Sequence, residues 1–235
     1  MLSANNWQQW LATGFELQSS GTTGEPKRIF QAPEKLRAAN RIAVAAQNIT
    51  AQSRVLTVCR MRHAGGALAQ SLPAWSVGAT VDIKPFNAFS FARDIKGYSH
   101  THLTPQHGEL LMQTHGFDQM DLCDVFITCG SDPVSFDLIA AFVARGAHFM
   151  CNWGMTEIGP ITINTIFDSL AKVQHYRDQA VAGATLLGDR YYCDYKIIND
   201  ELWVQSECCV YSGWFNTHDR VALNAQGALY YMGRA

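Results

Sequence analysis

Hydrophobic and polar residues in the first 170 positions follow two periods that alternate along the chain. Short runs typical of strands lie at 54–59, 79–83, 101–104, 124–129 and 148–152, and the first of them is β-rich and suits a buried strand. Between them, apolar residues recur every three or four positions and predict helices at 33–50, 63–72, 108–114 and from the turn at 130–133 to 144. Strands that alternate with helices predict an α/β fold, an open and mostly parallel sheet flanked by helices.

The pattern changes after about residue 170, where glycines separate short strand-like segments. These segments lie at 191–198, 201–205, 220–223 and 229–232. They predict a small antiparallel β lobe at 175–235 that follows an α/β lobe at 1–174. Because ligands of parallel sheets bind at the carboxyl ends of the strands, the loops after Cys59, Cys129 and Asn152 should line one crevice.

Composition narrows the class of protein. The chain has 235 residues, 48% of them hydrophobic, and a net charge of -2, so it suits a globular fold and gives no basic surplus for nucleic acid. No apolar run approaches the roughly 18 residues of a membrane span, and the N-terminus lacks the features of a secretory signal. Seven cysteines without a Cys-x-x-Cys pair indicate reduced core residues and a cytoplasmic protein with no membrane partner.

A loop near the N-terminus carries the first candidate chemistry. Residues 19–27 read Ser-Ser-Gly-Thr-Thr-Gly-Glu-Pro-Lys. Glycines let the backbone approach an anion, hydroxyls add donors and a lysine adds charge, so the loop suits phosphate. It is not a Walker A loop, because Pro26 precedes the lysine. Without further context, a flexible polar loop explains the composition equally well.

Three later segments add complementary groups. Residues 153–157, Trp-Gly-Met-Thr-Glu, follow the fifth predicted strand and offer a stacking ring, a hydroxyl and a carboxylate able to hold Mg²⁺ beside phosphates. Residues 213–219 read Gly-Trp-Phe-Asn-Thr-His-Asp, and the chain ends near Gly233-Arg234. Taken alone, each segment is also consistent with an ordinary turn.

Together, in this order, the segments resemble the motifs of the acyl-adenylate-forming enzymes, which include acyl-CoA synthetases and o-succinylbenzoate–CoA ligases. The resemblance runs from about Gln18 to Arg234. His218 stands where the family has glycine, which predicts bulk and φ strain beside the nucleotide.

The resemblance implies a role for each motif residue. The phosphate-binding group would comprise Ser20, Gly21, Thr22, Thr23, Gly24 and Lys27. Trp153 and Gly154 would lie against adenine, Thr156 would contact the α-phosphate, and Glu157 would hold Mg²⁺. Asp219 and Arg234 would bind the ribose. Lys27, Thr156 and Glu157 would be the catalytic residues.

Two shorter segments resemble further parts of the family's site. Gly130-Ser131-Asp132-Pro133 is similar to the turn that runs along adenine, with Ser131 in place of a second glycine. His63 and Gly65 lie where acyl-CoA synthetases carry a His-x-x-Gly segment at the acyl pocket. A structural histidine is the alternative for His63.

Four histidines at 100, 102, 107 and 115 invite a metal site, since the first two would share a strand face. A strand that ends at Pro105 explains the segment more simply. A Ser-His-Asp hydrolase is unsupported, because no Gly-x-Ser-x-Gly elbow occurs.

The resemblance implies an ATP-dependent ligase that joins a small carboxylic acid to AMP, with CoA as an acceptor of the acyl group. The chain is about half of a typical family member and carries no counterpart of the catalytic lysine in the family's C-terminal domain. The enzyme would then be a reduced and weakly active form, or one that a separate subunit completes; the alternative is a binding module for ATP, AMP or acyl-adenylate with impaired catalysis. The short N-terminal section predicts an exposed apolar face, covered by a second copy or a partner subunit.

Overall fold

The computed structural model of the chain describes residues 2–18 and 27–235. In these ranges a π-helical turn, Ala67–Ser71, joins α3 to α4. The helices are α1 (Trp7–Thr13), α2 (Pro33–Gln47), α3 (Ala64–Gly66), α4 (Leu72–Ser76), α5 (Ala88–Asp94), α6 (Pro105–Met112), α7 (Phe136–Val143) and α8 (Leu170–Asp178). The strands are β1 (Phe15–Gln18), β2 (Arg28–Gln31), β3 (Arg54–Thr57), β4 (Thr80–Ile83), β5 (His100–Leu103), β6 (Phe126–Cys129), β7 (His148–Met155), β8 (Gly159–Phe167), β9 (Thr185–Gly188), β10 (Arg190–Tyr191), β11 (Asp194–Ile198), β12 (Glu201–Gln205), β13 (Phe215–Leu223) and β14 (Leu229–Arg234).

The larger sheet has seven strands in the order β10-β8-β7-β6-β5-β3-β4. The five strands β7, β6, β5, β3 and β4 run parallel to one another. β8 pairs antiparallel with β7, and β10 pairs antiparallel with β8. The predicted α/β class with a mostly parallel sheet is therefore confirmed.

Helices cover both faces of this sheet, and each face has its own core. On one, here called the α2 face, Ala43 and Ala46 of α2 pack with Ala69, Phe126 and Met150. On the other, the α6 face, apolar side chains of α5, α6, α7 and α8 pack with those of β6 and β7. Burial on both faces accounts for the apolar residues of β3 and β6, whereas β5 is buried with polar side chains and the edge strand β4 is partly exposed.

The sheet changes winding direction between two adjacent strands. β3 leads into α3 and the π-helical turn on the α2 face, whereas its neighbour β5 leads into α6 on the opposite face. Loops that leave adjacent parallel strands toward opposite faces open a crevice between the carboxyl ends of those strands. The topology therefore locates a ligand crevice beside the ends of β3 and β5.

The smaller sheet is antiparallel, in the order β11-β12-β13-β14-β9. Its buried residues Leu202, Val204, Val221 and Leu229 pack against Ile163 of the larger sheet, so the two sheets share a core. The predicted antiparallel lobe is thus confirmed, while its boundary at residues 174 and 175 stays a prediction.

Some predicted elements differ in extent from the observed ones. Helix α2 ends at Gln47 rather than at residue 50, because Asn48 takes the left-handed conformation with φ 53° and closes the helix. The fifth predicted strand continues to Met155 and turns back as β8, which the pattern did not predict. Eight of the nine residues of β8 are buried, including the polar Thr162 and Asn164. Among the described residues, no helix is both long and apolar enough to span a bilayer.

Candidate functional site

Three of the predicted site residues meet at one point. The indole Nε1 of Trp153 donates a hydrogen bond to Oδ2 of Asp219 over 3.0 Å, and Arg234 Nη1 lies 3.1 Å from Oδ1. The guanidinium also donates to the carbonyl oxygen of Thr217. Asp219 is only 4% exposed, so its carboxylate is held between a ring edge and a cation. Strands β7 and β14 are thereby joined through the carboxylate of Asp219.

Strand pairing explains this meeting. Asp219 of β13 lies directly opposite Arg234 of β14 in the antiparallel register, so their side chains share a face. Thr217 fixes the approach: its hydroxyl donates to the carbonyl of Leu202 over 2.8 Å and accepts the backbone N–H of Asp219 over 3.1 Å. The carboxylate direction is therefore set by backbone contacts.

His218 interrupts β13 with a bulge. Its φ is 58°, in the left-handed region that glycine adopts at least cost, so the predicted φ strain at this position is confirmed. Asn216 accepts the backbone N–H of His218 over 2.8 Å, and Glu201 lies 3.3 Å from the imidazole Nδ1. These contacts hold the bulge that directs Asp219 inward.

Burial and the neighbouring polar groups act in opposite directions on the pKa of Asp219. Burial raises the pKa of this carboxyl above its ordinary value. The charge of Arg234, the hydrogen bond from Trp153 and the neighbouring His218 offset part of that rise. A buried carboxylate with remaining lone pairs is suited to accept further hydrogen bonds from a polar ligand.

The next motif residues form the turn between β7 and β8. Gly154 permits the turn, because a Cβ at this position would lie 2.5 Å from the carbonyl oxygen of Pro160. Gln31, which is 2% exposed, donates from Nε2 to the carbonyl oxygen of Thr156 over 2.8 Å. Val210 donates its backbone N–H to the carbonyl oxygen of Glu157 over 2.8 Å. The turn is therefore fixed from both sides.

Glu157 is half-buried and carries the carboxylate expected to hold Mg²⁺. No cluster of three or more histidine, cysteine, aspartate or glutamate side chains that could enclose a metal occurs in residues 2–18 and 27–235. Mg²⁺ bound beside phosphates needs only one or two protein carboxylates, the remaining ligands being water and phosphate oxygens. One glutamate in this turn fits that requirement.

Gly130 lies against Asn152, close to the turn between β7 and β8. A Cβ on Gly130 would come 2.3 Å from the carbonyl oxygen of Asn152, the residue before Trp153, so only glycine allows this approach. Ser131 follows with φ 81°, again a conformation that favours glycine. The turn at Gly130 and the Trp153 segment therefore lie against each other through their backbones.

His63 and Gly65 lie at the start of the crossover from β3. His63 Nδ1 is 3.3 Å from the carbonyl oxygen of Gln18, the last described residue before the predicted phosphate loop. Gly65 packs on a buried imidazole, because a Cβ there would lie 3.2 Å from Cε1 of His102. His63 therefore contacts β1 and Gly65 contacts β5, and no hydrogen bond joins either residue to Asp219.

The phosphate-loop residues Ser20, Gly21, Thr22, Thr23 and Gly24 lie outside the described residues. Lys27 is described, is exposed, and makes no ion pair or hydrogen bond with the rest of the described chain. Its role is therefore still a prediction.

The histidine metal site finds no support in the described geometry. His100 uses both ring nitrogens inside the fold, Nδ1 with the hydroxyl of Ser99 at 2.8 Å and Nε2 with the carbonyl of Gln47 at 2.9 Å. His107 stacks on Phe86 with ring centroids 4.0 Å apart. These two side chains are structural.

Sequence reasoning gave no site role to Gln31 or Thr217, and it considered His102 only as a metal ligand. All three are buried polar residues in or beside a short strand. A polar residue at an inward position of a β-rich run is the only available signal, and it does not name a partner.

Known proteins resemble this chain over most of its length. The AMP-binding enzyme family model matches residues 17–203. Indoleacetate–CoA ligase of Aromatoleum aromaticum is 28% identical over 92% of this chain, and acyl-CoA synthetase FUM10 of Gibberella moniliformis is 30% identical over 62%. The matches cover 46% and 27% of those proteins, so the chain spans less than half the length of these relatives.

Solved structures share the fold. The inhibitor-bound N-terminal domain of FACL13 from Mycobacterium tuberculosis superposes with a TM-score of 0.79 at 20% identity, over 94% of this chain and 60% of that one. O-succinylbenzoate CoA synthetase from Bacillus subtilis, in complex with AMP, gives 0.74 at 20% identity, over 93% and 49%. Because the family model covers most of its length, the chain belongs to the AMP-binding enzyme family.

Proposed function

We propose that this chain binds ATP and a small carboxylic acid and forms, or helps a second subunit to form, an acyl-adenylate. The observation that carries the proposal is the assembly of Trp153, Asp219 and Arg234 around one buried carboxylate. Relatives named as an indoleacetate–CoA ligase and an acyl-CoA synthetase support the reaction class.

In this proposal Asp219 receives the ribose hydroxyls. Its two oxygens offer about four lone-pair positions, and Trp153 and Arg234 occupy only part of them. The bond from Trp153 Nε1 also fixes the orientation of the indole, whose face would stack on adenine beside Gly130 and Gly154. Arg234 remains partly exposed and keeps the carboxylate ionised when the nucleotide arrives.

The phosphates would lie toward the β7–β8 turn and the loop before β2. Thr156 would donate to the α-phosphate, and Glu157 would hold Mg²⁺, which supplies charge neutralisation when bound. Lys27 and the hydroxyls of Ser20, Thr22 and Thr23 would hold the leaving pyrophosphate.

The reaction follows from that arrangement. A substrate carboxylate oxygen attacks the α-phosphorus of ATP, the bond to the bridging oxygen breaks, and pyrophosphate leaves with that electron pair. A CoA thiolate would then attack the acyl carbon and release AMP. The contribution of Lys27, Thr156 and Glu157 is positioning and neutralisation of phosphate charge.

Calorimetric titration of the purified chain with ATP and with AMP, each with Mg²⁺, tests the proposal. We expect saturable binding of both, followed by pyrophosphate release when carboxylic acids are added. Binding without pyrophosphate release in any acid would favour the alternative, a nucleotide-binding module. Absence of binding at millimolar nucleotide would contradict the proposed site.

A further inference from the structure

The α2 face of the larger sheet holds an unusual set of buried polar side chains. Nine side-chain nitrogen and oxygen atoms among the described residues are buried and lack a hydrogen-bond partner. They belong to five residues, Asn40, Gln70, His102, Asn152 and Asn164. Native proteins satisfy nearly all such atoms, so each exception needs an explanation, such as a catalytic or binding role or a bound water.

Strand register and helix spacing place these side chains in one layer. His102 lies opposite Thr128 of β6, whose hydroxyl donates to Gln47 of α2 over 2.7 Å, so both strand residues face α2. Asn152 of β7 and Asn164 of β8 are cross-strand partners. Each lies two residues along its strand from the paired residues Met150 and Ile166, which pack on the α2 face.

The other two residues approach the same layer from the helices. Asn40 is one and two helical turns from Ala43 and Gln47, which face the π-helical turn, and Gln47 donates to the carbonyl oxygen of Ala69 over 2.7 Å. Gln70 follows Ala69 in that turn and is fully buried. π-Helical turns inside α-helices are frequent at functional sites.

His102 lies on β5, one of the two strands at which the winding direction changes. It occupies the third of four positions in β5, beside β3 at the change of winding direction, and Gly65 of the predicted acyl-pocket segment packs on its ring. His102 is 3% exposed, and neither ring nitrogen makes a hydrogen bond of ordinary geometry, although the backbone of Gly65 interacts with the ring. His100, two residues earlier on the same face, has partners at both nitrogens.

The protonation state of His102 defines what it can recognise. Burial lowers the pKa of His102 to about 4, so the ring is neutral at pH 7. A neutral imidazole carries one N–H donor and one acceptor nitrogen. The buried polar residues of the described chain include no lysine or arginine, so a charged group placed here would lack a countercharge.

We propose that His102 determines specificity for the acyl group, and that the acid substrate carries an uncharged hydrogen-bonding group in its tail that pairs with this imidazole. The inference rests on the proposed function and deepens it, because it names the substrate class. Gln70 and Asn152 provide further amide groups in the same layer. A saturated fatty acid would leave these groups unpaired and is disfavoured.

Matched pairs of acids test the proposal directly. Binding to the purified chain is measured without nucleotide, by calorimetry or ligand-observed NMR. The pairs are indole-3-acetate with benzothiophene-3-acetate, 4-hydroxyphenylacetate with 4-methylphenylacetate, and 6-hydroxyhexanoate with heptanoate. We expect the polar member of at least one pair to bind about tenfold more tightly, the equivalent of one net hydrogen bond. Equal affinity within every pair, or no binding of any acid at millimolar concentration, would overturn the proposal.

A substitution assigns the preference to the imidazole. His102→Phe keeps an aromatic ring and loses both nitrogens, so the polar and apolar members of each pair should bind with about equal affinity. His115→Phe, at an exposed position, is the matched control and should keep it. Discrimination that persists in His102→Phe would refute the assignment.

The unmodified chain provides a second readout that does not depend on a variant folding. In ¹⁵N spectra of labelled histidine, the ring signals of His102 should shift when the polar acid binds, while those of His100 stay unchanged. Unmoved His102 signals would mean that internal water satisfies the ring, which contradicts the proposal. AMP binding is titrated separately, so a failed nucleotide site and a failed acyl site give different results.

Discussion

Removal of the Asp219 carboxylate is the sharpest test of the nucleotide site. In Asp219→Ala the ribose hydroxyls lose their acceptor, and hydrogen bonds to a charged group contribute about 1.5–3 kcal/mol. AMP affinity should therefore fall by about ten- to a hundredfold. Calorimetry with AMP and with adenosine measures the change, and both ligands should lose affinity equally, because both carry the ribose.

The same substitution should also destabilise the fold. Trp153 Nε1 loses its partner in a half-buried position, which costs about 1–3 kcal/mol, whereas Arg234 can turn toward solvent. Denaturant unfolding measures this loss. Asp194→Ala, at an exposed position of β11, is the matched control and should change neither quantity beyond about 0.5 kcal/mol. A folded Asp219→Ala variant with unchanged adenosine affinity would refute the ribose assignment.

The raised pKa of Asp219 gives the substitution a pH signature. The folded state favours the protonated carboxyl, so the stability contributed by this group is present below the ordinary value of 3.8 and is lost as pH rises through the raised pKa. Ligand binding needs the ionised form, so adenosine affinity should fall as pH drops through that same window. Asp219→Asn should lack both dependences, which paired titrations of the two proteins would reveal.

Three further substitutions test other parts of the site. His218→Gly should raise the free energy of unfolding by about 0.5–1 kcal/mol, because it removes left-handed strain of about 1–2 kcal/mol and adds chain entropy to the unfolded state; His218→Ala keeps the Cβ and should show no gain. Gly154→Ala should lower the free energy of unfolding by about 1–3 kcal/mol through contact with a carbonyl oxygen, while Gly116→Ala, whose Cβ would meet only Ala92 at 3.4 Å, should not. Lys27→Ala should weaken ATP binding about tenfold and leave AMP binding unchanged, as calorimetry would show; Lys172→Ala should affect neither, and an equal loss for ATP and AMP would contradict the pyrophosphate role.

Local pattern was sufficient for the elements of the parallel sheet. All five strands predicted before residue 153 occur, and β3 and β6 show the short buried runs that a sheet covered on both faces produces. The order of the motifs was sufficient for the family. β8 was not predicted, although Ile161-Thr-Ile-Asn164 alternates between apolar and polar residues as a strand does.

The hydrogen-bonded contacts of the site could not be obtained in this way. Gln31 is 125 residues from its partner Thr156, and Trp153 is 66 residues from Asp219. Motif order grouped Trp153 with Asp219 at the nucleotide, but it did not indicate the bond between them. Gln31 belongs to no motif, so its contribution was invisible.

The sequence by itself determined the alternation of strands and helices, the glycines that permit close backbone approach at Gly130 and Gly154, and the kinds of chemical group available. Those properties are local, since each depends on one residue and its near neighbours. Only the tertiary structure decided that Arg234 faces Asp219 and that His102 is buried against Gly65. Side-chain direction depends on strand register, and register is fixed by the packing of the whole chain.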